Sequence, residues 1–311
     1  MIVKEKNSFN NSYIALGSFD GLHMGHLSLI NKAIALAKQN KGESILYNFK
    51  NHPKTLINKN FSPKLLLDNE NKEKILYKMG IDYVYFEEFN EAFMKKSPED
   101  FIKYICDKFK VKGIIVGFNY KFGYKNLGDV NLLRELQDKY GYKLYVMEAC
   151  TYLNDVVSST RIRNEFINGN IENGNKMLTR EYFLEGEVIH GKMLGRQIGF
   201  PTANIDYSKD SLLPKEGVYY TNVLWNNKLY KGITSIGNTP TVKIENITVE
   251  TFILDLNEDI YGDKIKVYFL KYIRGNVKFN SLDELIAQLN KDRIFAEKEN
   301  LMESMKNDLQ L

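Results

Sequence analysis

The sequence is poor in the residues that usually announce a metal centre, a redox pair or a membrane. It has two cysteines, Cys106 and Cys150. They lack metal or redox spacing, so they read as small buried side chains in a reducing compartment. No apolar run approaches the roughly 20 residues of a membrane span. The N-terminus is charged and Asn-rich without the apolar core of a signal peptide, so a cytoplasmic protein with no membrane partner is expected. Charge is close to balanced, at net +4 from 43 basic and 39 acidic residues. With no basic cluster, that excess weakly favours anionic ligands and gives no case for nucleic acid. No Walker loop ending in Gly-Lys-Ser/Thr is present. There are four histidines, and three of them fall in the turns described next. His23 and His26 are spaced to share a metal-binding face, but no third strong ligand follows at a helpful distance.

At 311 residues, 43% apolar and 26% charged, the chain reads as a globular protein of two domains. The apolar run Tyr13 to Leu16 reads as a strand. Ile30, Ala33, Ile34 and Ala37 fit one side of a helix. Between them, Gly17-Ser18-Phe19-Asp20-Gly21-Leu22-His23-Met24-Gly25-His26 places glycines and two histidines at a strand-to-helix turn. Free backbone N–H groups and the positive end of a helix dipole suit phosphate there. Further strands are expected at 44–49, 83–86, 111–118 and 142–147, with helices at 69–79, 98–109 and 131–140. The second of these helices opens on Ser97 with Pro98 in its first turn and Asp100 three residues on. Alternating strands and helices imply right-handed crossovers and a parallel sheet, whose ligands gather at the carboxyl ends of the strands. His23, His26, His52, Asn119, Asp129 and the run Ser158 to Arg163 all fall at such ends.

From Arg161 to about Arg180 the chain is polar, with Asn-Gly pairs at 168–169 and 173–174. A short helix, a turn and a second helical turn are expected, and the domain junction is placed at 180. Beyond it, 183–189, 218–225, 229–235, 247–256 and 264–272 are rich in Val, Ile, Tyr and Thr. Asn226-Asn227 and Tyr261-Gly262-Asp263 supply turns. Closely spaced strands predict a small antiparallel barrel. Ser281-x-x-Glu284 is a capping box for a closing helix, with Leu285, Leu289 and Ile294 against the barrel. The stretch His190 to Asn204 joins a glycine-rich basic loop, with Gly191 and Gly195, to a strand start. Such a loop can wrap phosphates with its N–H groups. Thr202 and Asn204 alternate along an extended chain, so both oxygens face one side, as hard ligands suited to magnesium. Glu250 is expected beside Phe252, Leu254 and Leu256, where a carboxylate suits a general base.

Two sets of motifs carry a resemblance. Phe19-Asp20-Gly21 with His23-x-Gly25-His26 resembles the HxGH nucleotidyltransferases, and Ser159-Thr160-x-x-Arg163 is similar to their second ATP-binding motif. Aminoacyl-tRNA synthetases carry a related histidine motif, but pair it with a lysine-rich loop not found here. Gly199-Phe200-Pro201-Thr202-Ala203-Asn204, Gly217-Val218-Tyr219, Ile236-Gly237-x-x-Pro240-Thr241, Glu250-Thr251 and Tyr261-Gly262 resemble the riboflavin kinase module. Over nearly the whole chain, the two sets are similar to the prokaryotic bifunctional riboflavin kinase/FAD synthetases.

That resemblance implies an α/β Rossmann-like adenylyltransferase domain, residues 1–180. A riboflavin kinase domain follows at 181–311, a Greek-key antiparallel β-barrel with a C-terminal helix. It implies two reactions needing ATP and Mg2+: riboflavin to FMN with release of ADP, then FMN to FAD with release of pyrophosphate. Gly17, Phe19, Gly25, Ser159, Thr160 and Arg163 would bind ATP for adenylyl transfer. His23 and His26 would hold its phosphates, and His52, Asn119 and Asp129 would line that site. Gly191 and Gly195 would wrap the kinase ATP, Thr202 and Asn204 would bind magnesium, and Glu250 would be the kinase base. Arg274 would lie near the flavin. Two positions depart from the pattern: Asn51 stands where proline is usual, and Asn276 where an acid often stands. Rival readings are a chain with one activity only, a flavin-binding regulator, and a nucleotidyltransferase with an unrelated C-terminal domain. The partners expected are small-molecule substrates, with a monomer or weak homo-oligomer.

Overall fold

The computed structural model describes residues 8–51, 56, 64–191, 194–238 and 247–301. The chain separates into two compact units, residues 1–159 and 160–311.

In the first unit, five parallel strands form a sheet in the order β3-β2-β1-β4-β5. They are β1 (Ser12–Leu16), β2 (Glu43–Phe49), β3 (Tyr83–Glu87), β4 (Val111–Gly117) and β5 (Lys143–Met147). The helices between them are α1 (Met24–Gln39), α2 (Asn69–Met79), α3 (Glu91–Met94), α4 (Pro98–Phe109), α5 (Val130–Glu135) and α6 (Gln137–Tyr140). Strand order reverses between β1 and β4, the switch point at which open sheets of this kind bind ligands. Successive residues of a strand face opposite sides. Ile14, Leu16, Ile45, Tyr47, Ile114 and Val116 therefore share one core with Phe101, Ile102, Ile105 and Phe109 of α4, while α1 lies against β1, β2 and β4 on the other face. Helix starts follow the sequence signals: Ser97 Oγ accepts the Asp100 N–H at 3.1 Å, a cap worth about 1 kcal/mol. The helix expected over 131–140 is instead two short ones meeting at Leu136, with Asp129 as the first cap. A small hairpin, β6 (Thr151–Tyr152) and β7 (Asp155–Val156), follows the sheet.

The second unit opens at Thr160, the second residue of α7 (Ser159–Asn168), which α8 (Ile171–Leu178) follows. Phe166 packs on Tyr182 at 4.7 Å, and α8 lies against β8 and β13. These two helices, which precede the expected junction at residue 180, thus pack with the barrel. The barrel consists of β8 (Tyr182–Ile189), β9 (Thr202–Tyr207), β10 (Gly217–Trp225), β11 (Lys228–Asn238), β12 (Ile247–Ile253) and β13 (Lys264–Arg274), with the single-turn α9 (Leu194–Gln197) before β9. It closes in the order β10-β11-β12-β9-β8-β13. Strands β10 to β12 are successive hairpins and β13 returns beside β10, which is Greek-key connectivity. Asn226 and Asn227 both take positive φ in the two-residue turn between Trp225 and Lys228, as a tight hairpin demands. Inside, Thr221, Thr234 and Thr251 pass hydroxyl hydrogen bonds of 2.8 and 2.9 Å across three strands. Strand β12 ends at Ile253, and Asp255 turns with φ 60°. Of the apolar residues expected beside Glu250, Phe252 and Leu254 pack in one cluster with Val218, Tyr220 and Ala296, while Leu256 lies beyond the end of the strand. Ser281 caps α10 (Leu282–Lys298) through the Glu284 N–H at 3.2 Å. Ile294, expected against the barrel, is 51% exposed, and Asp292 and Ala296 are the buried positions.

Candidate functional sites

The turn after β1 is held in a conformation that most side chains avoid. Phe19, Gly21 and Leu22 have φ of 46°, 81° and 46°. Such strain, of order 1–3 kcal/mol per non-glycine residue, persists only where packing over-determines it. Phe19 and Leu22 are fully buried. Asp20 braces the turn from both sides: its Oδ1 accepts the Leu66 N–H at 3.1 Å, and its carbonyl accepts the Ser159 hydroxyl at 2.9 Å. His23 is then the N-cap of α1, its Nδ1 accepting the His26 N–H at 3.4 Å. The two imidazoles stack with centroids 3.6 Å apart, and Phe19 leans on His26 at 5.3 Å. A side chain at Gly25 would crowd His23 at 3.2 Å, and Gly17 leaves room for the Phe19 ring in the same way. No acid stands in the first turn of α1, so the positive helix terminus faces outward unneutralised.

Burial, aided by the neighbouring charges of His23 and Lys72, holds the pKa of His26 well below the usual histidine value. His26 is therefore neutral at pH 7, with one ring nitrogen donating and one accepting. Its Nδ1 is buried and has no hydrogen-bond partner among the described residues. Lys72, which no local signal in the sequence sets apart from the other lysines of its helix, is 4% exposed in the first turn of α2. Burial pushes its pKa down to about 8, against the opposing pull of Asp20 and Asp68.

At the carboxyl end of β4, Asn119 and Asp129 line a cavity of about 260 Å3 with Phe118, Tyr120 and Arg134. Asp129 Oδ1 accepts the N–H groups of Asn131 and Leu132 at 3.0 and 3.1 Å, and Lys121 lies 3.2 Å from Oδ2. The Leu132 hydrogen bond and the Lys121 ammonium hold this carboxyl below its usual range. Asp129 thus builds the cavity wall as a helix cap. Phe122 is core rather than cavity, 5% exposed. His52 lies outside the described residues. Ser159 meets the β1 turn, whereas Thr160 and Arg163 belong to the second unit. Asn51, where proline was expected, has a use: its amide donates to the Phe89 carbonyl and accepts the Phe89 N–H, both at 2.9 Å.

In the barrel, register rather than spacing builds the site. Glu250 on β12 is the direct cross-strand partner of Asn204 on β9, and Phe252 of Thr202. Glu250 Oε2 accepts from the Thr202 hydroxyl and Oε1 from Thr248, both at 3.4 Å. All five side chains are half-buried on the outer face, while Ala203, Val249 and Thr251 fill the interior. Gly191 closes against this row: a Cβ there would sit 2.1 Å from the Asn204 amide nitrogen. At Gly195 a Cβ would sit 2.2 Å from the Phe200 carbonyl oxygen. The resulting hydroxyl, amide and carboxylate oxygens are a hard donor set that fits a magnesium ion. Beside them is a cavity of about 270 Å3, lined by Arg196, Thr202, Glu258, Asp259 and Tyr261. His190, from the glycine-rich loop, lies against Tyr261 of the second motif turn, with ring centroids 3.8 Å apart. Arg274 is a brace: its Nε and Nη2 grip the buried Asp292 at 3.1 and 2.6 Å. Asn276 donates to the Ile236 carbonyl at 3.0 Å, a bond that the usual carboxylate could not make.

Comparison with known proteins agrees with this two-part geometry. The FAD synthetase family model matches residues 5–161 and the riboflavin kinase model residues 178–300. A bifunctional riboflavin kinase/FMN adenylyltransferase of Listeria monocytogenes is 35% identical, over 91% of this chain and 90% of that protein. One of Bacillus subtilis is 33% identical over 94% and 93%. A crystal structure from Streptococcus pneumoniae, described as a macrolide-efflux protein, aligns with a TM-score of 0.88 at 29% identity, over 96% of this chain and 97% of that one.

Proposed function

The chain belongs to the bifunctional riboflavin kinase/FMN adenylyltransferases, and from that premise we propose which of its residues carry each reaction. It makes FMN from riboflavin and ATP, and FAD from FMN and ATP. The kinase step is assigned to the outer face of β9 and β12. There the ribityl hydroxyl oxygen attacks the γ-phosphorus, the bond to the ADP oxygen breaks, and Glu250 takes the hydroxyl proton. Magnesium, held by Thr202 and Asn204, neutralises phosphate charge when bound. Gly191 and Gly195 let the loop backbone approach the phosphates, and the cavity beside Tyr261 takes the rest of the nucleotide. Arg274, through Asp292, holds the flavin-side loop. The observation that carries the assignment is the cross-strand pairing of Asn204 with Glu250, 46 residues apart, under a glycine that leaves the amide room.

The adenylyl step is assigned to the β1–α1 turn. An FMN phosphate oxygen attacks the α-phosphorus, and the bond to the departing pyrophosphate breaks. His23, His26 and the free N–H groups of α1 hold the phosphates in line, since this chemistry asks mainly for positioning and charge stabilisation. Gly17, Phe19 and Gly25 shape that turn, and Ser159, whose hydroxyl donates to the Asp20 carbonyl at 2.9 Å, supplies a further nucleotide contact. Asn119 and the capping Asp129 form the cavity for the remaining substrate. No helix among the described residues is long and apolar enough to cross a membrane, and a cytoplasmic monomer or weak homo-oligomer without a nucleic-acid partner suits small-molecule substrates. The test is chromatography of riboflavin, FMN and FAD after incubation with ATP and magnesium. Glu250→Gln should abolish FMN formation while FAD still forms from supplied FMN, and loss of both steps would refute the assignment.

A further inference from the structure

Two buried polar atoms at one end of the first sheet have no hydrogen-bond partner among the described residues: Nδ1 of His26 and Nδ2 of Asn48. Asn48 is the penultimate residue of β2 and 4% exposed. Chemistry fixes which way its amide points. The Phe49 N–H donates to one side-chain atom at 2.9 Å. A backbone N–H can only donate, so that atom is the oxygen and the opposite one is the NH2. Tyr47 and Ile45 face α4, so alternation puts Asn48 on the other face, the one that carries α1. Leu16 pairs with Tyr47, which sets Asn48 level with Gly17, at the foot of the histidine turn. Two donor hydrogens left unpaired in an interior are costly and ask for an acceptor.

We propose that Asn48 is a substrate-binding residue of the adenylyl-transfer site, its Nδ2 donating to a phosphate oxygen of ATP or of FMN. The proposal rests on the placement of adenylyl transfer at the β1–α1 turn. An anionic acceptor is the match because the surroundings offer donors: the free N–H groups of α1, with no acid in its first turn, and the Lys72 ammonium, near enough to act on His26. A phosphate there would accept from Asn48 and satisfy the amide.

The test uses the full chain with Asn48→Leu and Asn48→Asp, measuring FAD formed from FMN and ATP with each substrate varied in turn. Circular dichroism and urea unfolding of each variant against the parent report that the first unit has folded, and the riboflavin kinase rate of the same preparation reports the same for the second. Asn48→Leu should lower kcat/KM for adenylyl transfer about 10- to 100-fold, the size of one hydrogen bond to a charged group. Asn48→Asp keeps the acceptor for the Phe49 N–H but opposes the phosphate, so it should lose more. A raised KM for ATP alone assigns the contact to the nucleotide, and a raised KM for FMN alone assigns it to the flavin phosphate. Both variants within twofold of the parent, with kinase activity intact, would overturn the proposal. So would Asn48→Asp at the parental rate while Asn48→Leu is impaired, since the ligand atom would then be a donor. His26→Ala is run alongside. If it retains adenylyl transfer, the site placement has failed; if it alone is inactive, only the role of Asn48 has.

Discussion

Replacing Gly191 by alanine should disable one activity of this chain and spare the other. The backbone of Gly191 is outside the left-handed region, so alanine is conformationally acceptable there. The obstacle is local: the new Cβ would lie 2.1 Å from the Asn204 amide nitrogen and 2.6 Å from its carbon. The colliding atoms are the far end of a flexible side chain, so the amide swings away and the barrel survives. What is lost is the position of Asn204 opposite Glu250. A hydrogen bond or ligand contact to a charged group is worth about 1.5–3 kcal/mol, so kcat/KM for riboflavin phosphorylation should fall roughly 10- to 150-fold. The assay follows riboflavin to FMN and, separately, FMN to FAD, the second staying at the parental rate. Asn204→Ala should lower the kinase step to a similar level, and the double variant should be no worse than Asn204→Ala alone, because residues acting through one contact are not additive. A Gly191→Ala enzyme within twofold of the parent in the kinase step would refute the reasoning. A double variant showing the product of the two losses would refute it as well.

Asn204→Ala should slow FMN formation to that extent yet leave FAD synthesis from supplied FMN at the parental rate, and His26→Ala should impair FAD synthesis and leave FMN formation; chromatographic product analysis decides, and loss of FAD formation in Asn204→Ala would contradict the two-site assignment. Because burial keeps His26 neutral, the pH profile of adenylyl transfer should carry no acid limb near 6.5 that disappears in His26→Gln. The same burial means that stability falls as pH drops below 6.5, where the unfolded chain takes up a proton that native His26 refuses, as pH-dependent urea unfolding would show. Lys72 has a folded pKa of about 8 against 10.5, so between those values the unfolded chain holds the extra proton and stability rises with pH. Lys72→Met should remove that slope and add up to about 3 kcal/mol at pH 7, and an unchanged slope would show that Lys72 is not what titrates.

Both folds were largely legible because their signals are local. Strand and helix alternate visibly from Tyr13 to Met147, and Ser97 and Ser281 cap the helices they were expected to cap. Elements without such a signal were not seen. The hairpin at 151–156 turns on Leu153 and Asn154, both at positive φ, without the glycine that usually marks such a turn. Helix α3 is four residues long, shorter than any periodic pattern can reveal. The packing of the polar stretch was not legible either: its Asn-Gly pairs resemble a linker, whereas Gly174 lets the Phe166 ring close against α8, where a Cβ would sit 2.2 Å away.

The two candidate sites differ in the same respect, and the difference explains which of their residues could be read. The adenylyl site is built mainly within ten residues: Gly25 makes room for the His23 ring, and the cap, the stack and the strained turn are all contained in the stretch from Gly17 to His26. A motif of that kind shows itself in one dimension. The kinase site has no such stretch. Gly191 makes room for Asn204, Asn204 lies opposite Glu250, and Glu250 accepts from Thr202. Each of these links crosses between segments, so spacing joins Thr202 to Asn204 but not either of them to Glu250 or Gly191. Asn48 and Lys72 lie at the limit of this logic. One is a polar residue inside an apolar strand, and the other is a cation on a helix of charged residues. Neither is remarkable by its neighbours in sequence; burial alone sets them apart, because in an interior an unpaired donor or a charge must be answered by something. In this chain, that answer lies at the carboxyl end of the first sheet, where the phosphates are expected.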